Sequence, residues 1–185
     1  MVRPNGGNIK VSLQISKDEQ NTWTQWDGSI VTLNKDEKLY VKALNPNKNG
    51  FMDFYSNKGH NFVIANGKVA ASGNIQYLLD PTGERMDVPE YCYRDMFYGC
   101  TSLTQAPELP ATTLVYECYE NMFNGCTSLA KAPDLPATTL ANYCYSNMFN
   151  GCSKFSTVKM KASMNGVYST STHGDIGKTV EYVLW

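Results

Sequence analysis

The sequence predicts an α+β chain: a small antiparallel β-domain, then a short solenoid of about three 26-residue helix-plus-strand repeats with a C-terminal β cap. Three observations predict it. Cys92 to Glu117 (CYRDMFYGCTSLTQAPELPATTLVYE) and Cys118 to Tyr143 (CYENMFNGCTSLAKAPDLPATTLANY) agree at 17 of 26 positions, and a third copy starts at Cys144 and fades after Cys152. A fixed period of this size marks stacked units that bury their apolar faces against each other. Apolar residues ahead of the repeats alternate with polar ones, the period of a half-buried strand. Alternation returns after them at Val158, Met160 and Ala162 and at Val180, Tyr182 and Leu184.

Residues 1–80 read as the β-rich domain with its connector, and 81–185 as the repeats and cap. Ile9, Val11, Leu13 and Ile15 form the first strand pattern, Ile30 to Leu33 a second, and Leu39, Val41 and Ala43 a third. Asn34-Lys35-Asp36-Glu37 suits a hairpin loop. Asn66-Gly67, a strong two-residue hairpin signal, predicts pairing of Phe62–Ile64 with Lys68–Ala71. Trp23 and Trp26 are expected to cover one face. In the connector, Ile75, Leu78 and Leu79 are placed to pack under the first repeat, and Pro81-Thr82-Gly83 marks a turn.

Within each repeat, Asp87, Thr113 and Thr139 are expected helix N-caps, with Glu90 completing a capping box. Val88, Cys92 and Met96 and their counterparts follow at i, i+4 and i+8, one helical stripe. Gly99, Gly125 and Gly151 fall where a left-handed residue ends a helix. An extended piece such as Leu103–Ala106 follows. Pro107 and Pro110, with Pro133 and Pro136 in the next copy, forbid helix there and limit strand pairing. The last strands are expected to cap the open end.

Composition narrows function. Lys+Arg total 16 against Asp+Glu 17, with no basic stripe, so nucleic acid is not an expected partner. No run approaches eighteen apolar residues, so membrane insertion is not expected. MVRPNGGNIK lacks the apolar core of a signal peptide; a leader is expected either to have been removed already or never to have existed. Charged residues are only 18%, and abundant Tyr, Asn and Thr point to an extracellular or virion-type surface.

The six cysteines form two columns, Cys92/Cys118/Cys144 and Cys100/Cys126/Cys152. Zinc sites want close Cys-x-x-Cys pairs, whereas every spacing within a repeat is eight. A disulfide needs Cα atoms within about 7 Å. Eight helical residues span roughly 12 Å, and neighbouring helices lie about 8–10 Å apart. Buried thiols lining the interior are the simplest reading, and the even count keeps disulfides open. His60 and His173 sit far apart in polar turns, and G-x-S-x-G, P-loop and H-E-x-x-H motifs are absent. No catalytic residue, metal or cofactor is expected. Glu108 and Asp134 read as solvated turn residues.

Tyr93, Tyr119 and Tyr145 share one phase and are expected to half-cover the core with their hydroxyls outward, or to offer an aromatic strip to a partner. Positions that differ between copies are not fixed by packing. Together with the tyrosines they supply the candidate binding residues Tyr93, Arg94, Tyr98, Gln105, Tyr116, Tyr119, Glu120, Lys131, Asn142 and Tyr145.

The run Phe123-Asn124-Gly125-Cys126-Thr127-Ser128-Leu129 and its copies resemble BspA-type leucine-rich repeats of bacterial surface proteins, over residues 87–155. The resemblance implies a leucine-rich-repeat solenoid in a secreted or cell-surface adhesion module, non-enzymatic, with a host or bacterial surface protein or glycan as partner. It carries no catalytic residues. The alternative expectation is a structural module appended to a larger assembly such as a bacteriophage virion protein, motivated by the leaderless Met1 and the small number of repeats.

Overall fold

A computed structural model describes residues 2–5, 12–46, 61–64, 67–162 and 179–182. In the front, β1 (Val2–Asn5) pairs antiparallel with β5 (Asn61–Ile64). Strand β2 (Leu13–Ser16) lies between β3 (Thr24–Trp26) and β4 (Tyr40–Ala43), antiparallel to both. Leu13 and Ala43 face each other across that sheet and are buried. The second expected strand is reduced to a single bridge at Val31. Residues 34–37 turn as expected: Glu37 N–H donates to Asn34 O, and the Asn34 N–H returns a bond to the Glu37 carboxylate. Trp26 is buried, its indole N–H donating to Ser29 O, whereas Lys42 Nζ lies 4.0 Å over the Trp23 ring. Ile9, Val11 and Leu184 lie outside the described residues.

The expected Phe62–Ile64/Lys68–Ala71 hairpin does not form. β5 is taken by β1, and β6 (Val69–Ala70) runs parallel to β7 (Leu103–Gln105), inside the first repeat. Phe62 N–H donates to Met96 O, Ala71 N–H to Gln105 O and Ile75 N–H to Glu108 O. Residues 62–64 and 67–79 therefore make a foundation coil beneath the first repeat. It includes a 3-10 helix at Ile75–Leu78, and Ile75, Leu78 and Leu79 are buried in the shared core.

The copies stack at their 26-residue period, but the helix-plus-strand unit is wrong: among the described residues there is no α-helix. Residues 90–99, 116–125 and 142–151 are ladders of overlapping β-turns. Every fourth residue is left-handed: Tyr91, Asp95 and Gly99 (φ 58, 56 and 68°), then Glu117, Asn121 and Gly125, then Tyr143, Asn147 and Gly151. Backbone N–H groups alternate in use. Those of Cys92, Arg94, Met96, Tyr98 and Cys100 donate three residues back along the chain. Those of Tyr91, Tyr93, Asp95, Phe97 and Gly99 donate to carbonyls of the next coil at 2.8–3.1 Å, and the second coil binds the third likewise. An α-helix would satisfy its N–H groups internally and leave none to tie coil to coil.

A four-residue turn unit explains the misleading stripe. Residues four apart are equivalent in such a ladder and nearly so on a helix. Asp87, expected as an N-cap, instead bridges Thr113 in parallel and holds Arg85 at 2.8 Å. The glycines do adopt the expected left-handed conformation, but they continue the turn pattern and end no helix.

The interior is built of columns. Phe62, Phe97, Phe123 and Phe149 stack with centroids 5.6, 5.5 and 5.7 Å apart, and Trp26 lies 6.3 Å from Phe62. Each lower cysteine donates its thiol to the phenylalanine carbonyl one coil below: Cys100 to Phe62, Cys126 to Phe97 and Cys152 to Phe123. Both cysteine columns are buried, and none of the six cysteines is in a disulfide. At the far end β8 (Thr157–Met160) pairs parallel with β9 (Thr179–Tyr182).

Candidate functional site

The stack sorts nine of the ten sequence-derived candidates into three groups, and the tenth, Tyr116, lies beside the second. Tyr93, Tyr119 and Tyr145 are interior, 0–2% exposed, with rings stacked at 5.4 and 5.8 Å. The Tyr93 hydroxyl donates to Gln76 Oε1 at 2.8 Å, within the foundation coil, and no hydroxyl of this column serves an outer surface. The expectation that these rings half-cover the core with hydroxyls in water is corrected: residue pairs 92–93 and 96–97 both turn inward in the four-residue unit, and 94 and 98 turn outward.

Arg94 and Glu120 form the second group and are committed to each other. Arg94 sits on coil one beneath two acids of coil two: its Nη1 lies 2.7 Å from Glu117, and its Nε 3.1 Å from Glu120 and 3.6 Å from Asp95. The Arg94 Nε and Glu120 Oε2 are buried and make no directed hydrogen bond, so their contact is one of charge alone. Three carboxylates around one guanidinium leave an excess of negative charge. Burial, together with a hydrogen bond to Glu117 and against the pull of Arg94, lifts the Glu120 carboxyl to about 7. Burial likewise raises Asp95. Beside the cluster, Tyr116 packs edge-on between Tyr91 and Tyr143 at 5.5 and 5.9 Å. Its hydrogen bond with Glu117 is the main cause that pushes its hydroxyl up to about 12.

This cluster gives a stability prediction. Glu120 binds its proton more tightly folded than unfolded, so its contribution to stability is complete below pH 4.5 and is lost as pH rises through about 7. The partly buried carboxylate then costs roughly 1–2 kcal/mol after allowance for solvent. Glu120→Gln keeps the neutral form at every pH. Its unfolding free energy in urea is expected to exceed the parent's above neutral pH, with the parent's fall between pH 5 and 8 flattened by about one proton. Parallel pH profiles for the two proteins would refute the assignment.

Tyr98, Gln105, Lys131 and Asn142 make the third group, and all four are exposed. Gln105 and Lys131 come together in a groove of about 360 Å3 between coils one and two. Glu108, Asp134 and four proline rings complete it. Sequence reasoning missed these as site residues; the signal was Pro-x-Leu-Pro repeated in phase, read only as barring helix and limiting strand pairing. His60 and His173 lie outside the described residues. Among the described residues no group of three or more His, Cys, Asp or Glu is placed to hold a metal ion, and no helix is long and apolar enough to cross a membrane. Burial pushes the Cys100 thiol up to about 11 and Cys144 to about 12, with Cys118 and Cys126 also raised, which leaves these thiols protonated and unreactive. No family model, curated protein or solved structure matches the chain.

Proposed function

We propose that the chain is a non-enzymatic recognition module of the cell surface or extracellular space, binding a protein or glycan through the outer face of its stacked coils. The observation that carries this is the contrast between inside and outside. Inward columns keep their residue types from copy to copy, as in Phe97/Phe123/Phe149 and Cys100/Cys126/Cys152. Outward positions change: Tyr98/Asn124/Asn150 and Gln105/Lys131. A scaffold that keeps these inward columns and varies exposed side chains such as these suits recognition. The sealed thiols support a role without nucleophilic chemistry, and the resemblance to BspA-type surface proteins supports the compartment and the partner class.

The test is an array of extracellular-matrix proteins and glycans probed with the intact chain. Saturable binding to at least one member is expected, lost when Tyr98, Gln105, Lys131 and Asn142 are together changed to Ala without a change in melting temperature. An array without any binder overturns the reading.

A further inference from the structure

The two Pro-x-Leu-Pro segments open a gap in the backbone ladder that ties coil to coil. On the turn side, coils one and two share five bonds, and Ala130 N–H still donates to Thr104 O. Beyond that point the coils part company. Glu108 bonds only downward, donating to Gly73 O and accepting from Ile75 N–H, whereas Leu135 bonds only upward, donating to Lys159 O and accepting from Lys161 N–H. Among the described residues no backbone bond joins 106–110 to 132–136. Pro107, Pro110, Pro133 and Pro136 add to the gap, having no N–H to give. Their carbonyls remain, so the groove is rich in acceptors and poor in donors.

Its side chains are uncommitted. Glu108, Lys131 and Asp134 are exposed and form no ion pair among the described residues, unlike Arg94, Glu117 and Glu120 on the turn side. Two carboxylates against one ammonium leave the groove with one net negative charge, which disfavours anions. The half-buried rings of Pro110, Pro133 and Pro136 and the methyls of Ala106 and Ala132 offer apolar surface. At about 360 Å3 the space lies at the small end of ligand sites, roughly 300–1,000 Å3. That is room for a short ligand with apolar faces and many hydroxyl donors.

We propose that the groove between coils one and two binds neutral oligosaccharides, with Glu108 and Asp134 accepting from sugar hydroxyls, Lys131 and Gln105 donating, and the proline rings lying against pyranose C–H faces. The proposal rests on the recognition reading above and names its ligand class and place.

The test titrates the intact, isotope-labelled chain with cellotetraose, laminaritetraose, mannotetraose and chitotetraose. A sialylated trisaccharide, a heparin tetrasaccharide and a proline-rich peptide serve as competitors of other chemistry. Amide shifts confined to residues 105–109 and 131–135 are expected with at least one neutral sugar. Lys131→Ala and Asp134→Ala, both at exposed positions, are expected to weaken that binding about tenfold while melting at the parent temperature. Failure of all four neutral sugars, tighter binding of an anionic sugar or of the peptide, or shifts on another face overturns the proposal. Matrix-protein binding on the array that survives both variants would overturn the groove alone. An array with no binder would remove the recognition reading itself.

Discussion

Leu129→Asp is expected to abolish folding at neutral pH. Leu129 is fully buried and occupies the place in its coil that Leu103 holds in the coil before; Leu103 is also fully buried, and both belong to one apolar core. The cations described near the repeats are committed elsewhere or exposed: Arg94 is held by its three carboxylates, and Lys131 lies in the outer groove. An ionised aspartate placed there has no partner, and an uncompensated buried charge costs several kcal/mol, a large share of the roughly 5–15 kcal/mol that holds a domain together. Leu129→Met, which conserves volume, is expected to lose less than about 1.5 kcal/mol. Urea unfolding followed by tyrosine fluorescence distinguishes the cases. A cooperative Leu129→Asp transition at the parent midpoint would mean that the interior is not dry.

Phe123→Ala is expected to be the most costly truncation in the aromatic column. Its ring is fully buried, nearly parallel to Phe97 on one side and Phe149 on the other, at interplanar angles of 4 and 2°. Removing it leaves a cavity in mid-stack and ends two ring contacts, a loss of about 3–5 kcal/mol. Phe155 gives the internal comparison. It is only half-buried and meets Phe149 edge-on at 5.5 Å, so Phe155→Ala is expected to lose about 1–2 kcal/mol. Chemical denaturation of both variants checks the ranking. Equal losses would show that the column does not carry its weight through the centre.

The 26-residue period was legible because stacking demands that equivalent residues recur, and the cysteine and phenylalanine columns follow from it directly. The backbone inside each copy was misread. Cys92, Met96 and Cys100 at a spacing of four satisfy a helix of 3.6 residues per turn and a four-residue turn ladder alike. A finer signal was present: Asp95 and Gly99, Asn121 and Gly125, and Asn147 and Gly151 repeat every four residues, and these are residue types that tolerate a left-handed backbone. Tyr91, Glu117 and Tyr143 adopt the same conformation without that tolerance, so composition alone could not mark the whole ladder. Tyr93 was assigned outward because a helix spreads its residues around the axis, whereas the turn ladder points two adjacent residues inward together. The foundation coil was hidden by spacing: Phe62 stands 35 residues before Phe97, outside the period, yet takes the next place in its column. Of the site, the exposed and variable Gln105 and Lys131 were legible, because they differ between copies. Their meeting with Glu108 and Asp134 was not, since it depends on a gap in pairing between distant prolines.

The central claim is that alternate N–H groups of each coil bind the coil above. Nuclear magnetic resonance couplings transmitted through hydrogen bonds measure this directly on uniformly labelled protein. The account predicts couplings from Asp95 N–H to the Glu120 carbonyl and from Tyr119 N–H to the Cys144 carbonyl, where the donor–acceptor distances are 3.0 and 2.9 Å. Couplings from these two amides to Tyr91 and Val115, four residues back along the chain, would restore the helix and contradict the stacked turn ladder.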